Sequence, residues 1–556
     1  MNNYKLRFVP LGGMTDVTKN MYLYELYKDD QLQDILIVDC GIGFPRSREL
    51  GVDFVIPDIS YLMDKVDKIR AVILSHGHED HISALPYHYD ALHSPPIHAS
   101  KLTKVLLENK FKEFSIRPNI SEIDFKKELV IGEFRLSFIR MTHSIPDAVH
   151  MIIKTPIGNF YHGADYKLDL TPPFGPPPDF YAITKAGSEG ILCLMSDCLG
   201  AEREGLTLSE KIVGATFEDE MRKTKGRFVM TTFSSNISRI RQCVDAAIKF
   251  NRKICFLGRS MKENTKLSGQ IGYLPIPHTL LIDEKNCLKT PPNKLCLIVA
   301  GRQGQYTSAL SKLGRDQNPN VKISAGDKIV FSSDPIPGNE EEVYGLIEEL
   351  ITKGADVIYP AITDQLHASG HANQEDMKLL IRFTNPLYFL PIGGTIRHQR
   401  QYQRLVDELG YPKGNVFMLQ EGETVWFEKQ KANLGKTIET QNVYVDAYGV
   451  GDVGNIVLRD RQTLAQDGMV VAIININNQG LLVTEPKLIS RGFVFEKEEK
   501  DLYNRAIREI ERVTKPRGKN VLNLNNIKKQ IIDTLENLFF EERGRKPLIV
   551  VEIIQI

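Results

Sequence analysis

Along most of this chain, short apolar runs alternate with stretches in which apolar residues recur every three or four positions. The runs Asp34-Ile-Leu-Ile-Val-Asp39, Ala71-Val-Ile-Leu74, Gly190-Ile-Leu-Cys-Leu-Met195, Arg227-Phe-Val-Met230, Lys253-Ile-Cys-Phe256 and Lys294-Leu-Cys-Leu-Ile-Val299 are short and bounded by polar residues, which predicts buried strands. Helical spacing predicts helices over 209–225, 236–250 and 340–354. Strands regularly followed by helices make layered α/β domains. Beyond Leu208 the alternation is regular enough to predict an insertion with its own sheet. Residues 429–441 turn polar and predict a linker. After them, the run 468–474, helical patterns at 499–513 and 527–540 and the run 547–551 predict a small α/β domain.

Length and composition narrow the class. At roughly 150 residues per domain, 556 residues make three or four compact units. A hydrophobic fraction of 42% with 25% charged residues excludes disorder and membrane residence as the dominant character. Residues 1–17 have no basic stretch followed by an apolar core, and no apolar run approaches the roughly 18 residues of a membrane span, so a cytoplasmic protein without a membrane partner is expected. Lys plus Arg equals Asp plus Glu at 70 each, so any nucleic-acid binding needs a local groove rather than a global basic field. The seven cysteines are scattered, with no CxxC pair, and point to reduced thiols rather than a disulfide frame or thiolate zinc site.

The densest chemistry is His76-Gly-His78-Glu-Asp80-His81, directly after the apolar run 71–74. At a strand end, residues two apart point the same way, so His76 and His78 can grip one ion while Asp80 and His81 turn toward a second. Neutral imidazole and carboxylate suit zinc or manganese. Two ions need further ligands from other strand ends, and His143 and Asp165 stand in such places. Alone, either is more often a core or capping residue; the first motif changes that weighting. A pair of ions activates water and neutralises charge on a phosphate, which is hydrolytic chemistry.

The spacing His76-x-His78-x-Asp80-His81 resembles the metallo-β-lactamase superfamily, whose members hydrolyse esters, thioesters, lactams and phosphodiesters. Leu11-Gly-Gly13, Lys19-Asn-Met-Tyr22, residues 51–61, His143-Ser-Ile-Pro-Asp147, residues 332–340, His367-Ala-Ser-Gly-His371, residues 449–454, Leu458-Arg-Asp-Arg461 and Ile489-Ser-Arg-Gly-Phe493 together resemble the ribonuclease J family over essentially the whole chain. The resemblance implies a metallo-β-lactamase αββα sandwich over 1–208, a β-CASP α/β domain at 209–365, a return to the sandwich at 366–428, a linker at 429–446 and a C-terminal α/β domain at 447–556.

It also implies roles. His76, His78 and His143 would hold one divalent ion, Asp80 and His81 a second, with Asp165 between them; zinc is the first expectation, with manganese or magnesium an option at the second position. His371 would protonate the leaving oxygen, oriented by Asp197. The turn His367, Ala368, Ser369, Gly370, His371, Ala372, opening a helix, would take the 5′-phosphate of RNA through helix-start N–H groups, with Ser234, Ser235 and Asn236 as further donors. The implied activity is a metal-dependent ribonuclease of RNA processing and decay, acting 5′→3′ on 5′-monophosphorylated single-stranded RNA and also internally. The implied assembly is a homodimer or homotetramer, or a hetero-oligomer with a paralogue.

One departure bears on this. Where the family has a metal-binding His after the strand ending near Ile392, this chain has Gly393, and His398 falls in the following helical segment. The alternative is therefore a catalytically weak paralogue serving as an RNA-binding or assembly subunit. A lesser departure is Cys198, expected to be a buried inert thiol. A hydrolase of small thioesters or lactams would leave the insertion unexplained.

Overall fold

The computed structural model describes residues 3–556 apart from 47, 302–304, 306, 336–338, 364, 448, 478–480, 494–499 and 516–523. Residues 336–338 of one family-like motif and Glu499, at the start of an expected helix, thus lie outside the described residues.

The apolar runs of the first two hundred residues become strands of two facing sheets. One has eight strands, in the order Lys431–Leu434, Val425–Glu428, Tyr4–Gly12, Met21–Lys28, Gln31–Val38, Ile69–Ile73, Ile97–Ala99, Ile120–Glu122. The other has six, in the order Tyr388–Ile392, Cys193–Asp197, Gly158–Gly163, Val149–Thr155, Phe134–Arg140, Leu129–Ile131. Alternate side chains of both meet between them, among them Phe8, Tyr24, Val38 and Ile73 from the first and Met151, Phe160, Met195 and Leu390 from the second. Truncating one such aromatic, Phe160→Ala, would cost about 3–5 kcal/mol. Helices Phe180–Ser188, Gln374–Thr384 and Ile396–Glu408 bury Ile183, Leu380 and Tyr402 against the outer face of the six-stranded sheet. This is the expected αββα sandwich.

The insertion carries a parallel five-stranded sheet in the order Lys253–Leu257, Leu295–Val299, Phe228–Thr231, Lys328–Phe331, Asp356–Ile358. Its strands read as unbroken apolar runs because helices cover such sheets on both faces. Helices form at Lys211–Lys223, Ile237–Lys249 and Glu340–Thr352, where the spacing predicts them. The sandwich strands on either side of the insertion pair directly and in parallel, Asp197 beside Ile392.

The polar stretch expected as a linker is partly sheet. Lys429 and Gln430, both at positive φ, form a tight turn that folds Lys431–Leu434 back onto Val425–Glu428. Its polarity is that of a solvent-facing edge strand rather than of a tether. A further strand, Val443–Asp446, lies within the same stretch.

Residues 44–55, expected in the sandwich, cluster with 443–556 in a compact unit separate from the rest. In that unit Lys487–Arg491, Met469–Ile476 and Leu548–Gln555 form a sheet under helices Lys500–Thr514 and Leu524–Arg543, with Ile474, Ile510 and Leu535 buried between. Among the described residues, no helix is long and apolar enough to cross a membrane.

Candidate metal centre

The expected metal ligands stand just beyond strand ends. His76 follows Ile69–Ile73, Asp80 and His81 lie on the single turn Glu79–Ile82, His143 follows Phe134–Arg140 and Asp165 follows Gly158–Gly163. That single turn lies against the loop after Gln31–Val38: Cys40 N–H donates to the His81 carbonyl and Asn20 N–H to that of Asp80. Gly41 permits the approach, since a Cβ there would sit 1.7 Å from the Asp80 carbonyl oxygen.

The structure brings all six residues together around Asp165. Its Oδ2 lies 3.7 Å from His76 Nε2, 3.5 Å from His81 Nε2, 3.7 Å from His143 Nε2 and 3.8 Å from His371 Nε2. Three donor sets share this carboxylate: His76, His78, His143 and Asp165; Asp80, His81 and Asp165; and Asp165, Asp197 and His371. Within each set the ligand atoms lie within 4.8 Å of one another.

Outer hydrogen bonds decide which nitrogens face inward. Asp39, at φ +61°, accepts from Ser75 N–H at 2.8 Å, from Ser75 Oγ at 2.7 Å and from His81 Nδ1 at 2.8 Å. With its proton given to Asp39, Ser75 Oγ is left to accept from His76 Nδ1 at 3.0 Å. His143 Nδ1 donates to the Gly370 carbonyl at 2.7 Å. By this logic His76 and His143 turn Nε2 lone pairs toward Asp165, and His81 presents Nε2 to the same carboxylate, as outer partners of metal-binding imidazoles do. His78 contributes Nδ1, 3.0 Å from His76 Nε2 and 3.2 Å from His143 Nε2. A neutral His78 has one Nδ1 proton at most, so it cannot satisfy both neighbours, and a cation among the three nitrogens would. The donor set therefore fits divalent metal.

Electrostatics divide the centre in two. Burial holds His76, His78 and His143 neutral, His143 down to about 3, against the pull of Asp165. At His81, burial also disfavours charge, but Asp165, Asp80 and Asp39 outweigh it and raise the pKa. Burial lifts Asp80 to about 6. The first set is thus rich in neutral nitrogen and the second in carboxylate.

Asp197 ends its strand with Oδ2 2.8 Å from His371 Nδ1, leaving Nε2 to face Asp165. Burial opposes the charge on His371, yet Asp197 and Asp165 raise its pKa to about 9. Gly393, at φ +64°, directs an ideal Cβ to 3.8 Å from both Asp165 Oδ1 and Asp197 Oδ1, so its open side faces the centre. His398 is elsewhere, in a capping box with Thr395 and 3.7 Å from Glu202. Cys198 is buried, and burial pushes its thiol pKa up.

The phosphate expectation needs correcting in part. The helix after His371 begins at Gln374, not Ala372, and is capped by Asn373 and Asp376. Its first N–H groups are taken: Asn373 donates to Thr207 Oγ1 and Asp376, Gln374 to the Arg203 carbonyl and Glu375 to that of Gly205. Asn236 caps the helix Ile237–Lys249, and Ser234 accepts from Asn264. The turn 367–371 itself lies against the centre, with Ser369 Oγ accepting from His371 N–H. Asp39, Lys167 and Glu210 are residues the sequence reading missed, while Arg239, which closes the segment 233–239 that the resemblance offers for phosphate donors, is turned onto Glu210. Asp39 alone left a signal, a carboxylate at a strand end like Asp165 and Asp197.

Three family models match: the metallo-beta-lactamase superfamily over 14–192, the ribonuclease J beta-CASP domain over 225–350 and the ribonuclease J C-terminal domain over 456–556. The chain is 34% identical to Ribonuclease J2 of Bacillus subtilis over 100% of its own length and 99% of that protein. It is 34% identical to Ribonuclease J 1 of Streptococcus pyogenes, covering 97% and 96%, and 31% identical to Ribonuclease J 2 of Staphylococcus aureus, covering 100% and 99%. A solved structure, a protein of unknown function from Enterococcus faecalis V583, superposes with a TM-score of 0.54 at 16% identity, covering 76% of this chain and all of that one, a likeness of fold alone.

Proposed function

This chain belongs to the ribonuclease J family of metal-dependent ribonucleases, and on that premise we propose that it hydrolyses single-stranded RNA at the Asp165 centre, 5′→3′ from a 5′-monophosphate and also internally. The observation that carries this is the sharing of Asp165 by both donor sets with His371 Nε2 aimed at the same carboxylate. His76, His78 and His143 would hold one cation and Asp80 and His81 a second, Asp165 serving both. When bound, such cations supply Lewis acidity toward a phosphodiester.

The chain's own groups supply the proton. As water adds to phosphorus, the bond to the leaving oxygen breaks, that oxygen takes the proton of His371 Nε2, and the proton shed by the attacking water passes to solvent, from which His371 is recharged. Asp197 holds Nδ1–H and stabilises the imidazolium beforehand. The turn 367–371, with Ser234 and Ser235 as additional donors, would receive the terminal phosphate.

Nitrogen-rich and carboxylate-rich halves support zinc in the first position and zinc, manganese or magnesium in the second. Exposed Val550 and Ile554 on the C-terminal sheet support self-association, as a homodimer or homotetramer or with a paralogue. The seven free cysteines support a reducing, cytoplasmic setting. The experiment is metal analysis of the purified chain with a time course on 5′-labelled and 3′-labelled RNA. Metal-dependent release of mononucleotides is the expected result. A metal-loaded chain that binds RNA without cutting it would establish instead the reading that Gly393 favours, a binding subunit.

A further inference from the structure

A ladder of buried charges runs from the metal-binding edge to the turn 367–371, and the reaction as described leaves it unused. It starts just past Asp165, where Lys167 Nζ lies 3.8 Å from Asp169 Oδ2 and 3.5 Å from Glu210 Oε1. Glu210 receives Arg239 Nη2 at 2.6 and 2.7 Å on its two oxygens. The same guanidinium donates to the Ser332 carbonyl at 2.7 Å, to His367 Nδ1 at 2.8 Å and to the Ala368 carbonyl at 3.0 Å. All four charged side chains are 1–2% exposed.

Stability alone does not account for such a set, because apolar replacements of buried ion pairs are often neutral or stabilising. What it provides is direction. A guanidinium only donates, so His367 accepts at Nδ1 and carries its proton on Nε2, the nitrogen 3.6 Å from Asp334. In a trans peptide the N–H points opposite to the C=O, so fixing the Ala368 carbonyl on Arg239 turns the Ser369 N–H away from the guanidinium. Further along the turn, the Gly370 carbonyl is held by His143 Nδ1 at 2.7 Å. The turn is thus clamped at one carbonyl by the insertion and at another by a candidate metal ligand, and a Cβ on Gly370 would meet His143 at 2.8 Å.

We propose that Arg239 is a positioning residue that sets the turn 367–371 for a terminal RNA phosphate, with Lys167 and Glu210 keeping that turn in register with Asp165. This rests on the terminal-phosphate reading given above. The fork matters more than the charge: a lysine at 239 can reach Glu210 but cannot hold the carboxylate, the imidazole and two carbonyls together.

The test measures affinity of the full-length protein, by fluorescence anisotropy, for a 2′-O-methyl RNA pentamer carrying a 5′-monophosphate or a 5′-hydroxyl. Turnover of bis(4-nitrophenyl) phosphate, which has no terminal phosphate and whose 4-nitrophenolate departs without needing the His371 proton, reads the cation-binding part of the centre alone. Wild type should prefer the phosphorylated pentamer. Arg239→Lys should reduce that preference roughly tenfold, with affinity for the hydroxyl form and diester turnover within about twofold of wild type. If Arg239→Lys does not fold, Glu210→Gln with Arg239→Met removes both charges of the closest pair and should show the same selective loss. An unchanged preference in a folded variant, or equal weakening toward both pentamers, overturns the positioning role. A wild type that ignores the 5′ group refutes the terminal-phosphate reading, and the inference with it.

Discussion

Placing an imidazole at position 393 tests whether the open side of Gly393 bears on metal binding at the Asp165 centre. Gly393 follows the strand Tyr388–Ile392 with its N–H on the Gly13 carbonyl at 2.9 Å. A Cβ added there meets Asp165 Oδ1 and Asp197 Oδ1, both at 3.8 Å, and no other heavy atom within 4 Å, chain neighbours aside. Space and direction both suit Gly393→His; the obstacle is φ at +64°, where an L-residue costs about 1–2 kcal/mol. Gly393→Ala carries the same strain without a ligand and is the control. With chelator present both variants should melt below wild type by similar amounts. On titration with zinc or manganese, the histidine variant alone should recover, and its second binding step should tighten about tenfold or more, about 1.4 kcal/mol. Calorimetric titration and metal content after dialysis read this without reference to activity. Identical metal responses of the two variants would refute the reasoning, as would a wild type that retains two ions per chain through dialysis.

Other outcomes follow from the same geometry. His76→Ala and Asp80→Ala should reduce RNA hydrolysis by more than the roughly 10–100-fold typical of losing an outer partner of a metal ligand, with the melting curve in chelator unchanged; wild-type rates at equal metal would remove these residues from the centre. RNA with a 5′-monophosphate should be degraded faster than the same RNA with a 5′-triphosphate, because a turn fixed at both the Ala368 and Gly370 carbonyls cannot widen for a longer anion; equal rates on labelled substrates would leave only internal cutting. His88, away from the centre, is held near a pKa of about 4 by burial against the weaker pull of the Pro57 carbonyl and Asp58. Its folded pKa lies below the ordinary value, so the unfolded chain binds the proton first, and stability falls as pH drops from about 6.5 toward 4. At pH 4.5 that loss is about 2–3 kcal/mol, and urea unfolding of His88→Gln should lose less stability than wild type between pH 7 and 4.5 by about this amount; an equal loss would count against it.

The centre was legible because much of it is local. Three imidazoles and two carboxylates within His76–His81 announce a cation without any knowledge of the fold, and His143 and Asp165 could then be sought at other strand ends. Asp39 has the same strand-end placement, but its meaning comes from Ser75 and His81, which only the sheet brings near. Arg239 reads in sequence as the end of the segment 233–239 that the resemblance offers for phosphate donors, with no sign that it is buried. Its burial is decided by Glu210, Ser332, His367 and Ala368, all distant along the chain. Residues 431–434 misled for the opposite reason, since an edge strand with one face in solvent has the composition of a tether. Nothing in residues 44–55 signalled that they cluster with the C-terminal unit, where Asp53 N–H pairs with the Val445 carbonyl.

The strand pairing also fixes when the molecule can begin to work. Tyr4–Gly12 has Val425–Glu428 as one of its neighbours, and the strand ending in Asp197 rests on Tyr388–Ile392. Synthesis runs from the amino end and domains fold as they emerge, so the insertion can settle on its own sheet while the sandwich still lacks one side. His371 and the strand that closes the site leave the ribosome after that. A half-made polypeptide therefore holds His76 to Asp165 without His371 or the turn 367–371, and the centre is complete only once the strand Tyr388–Ile392 has emerged.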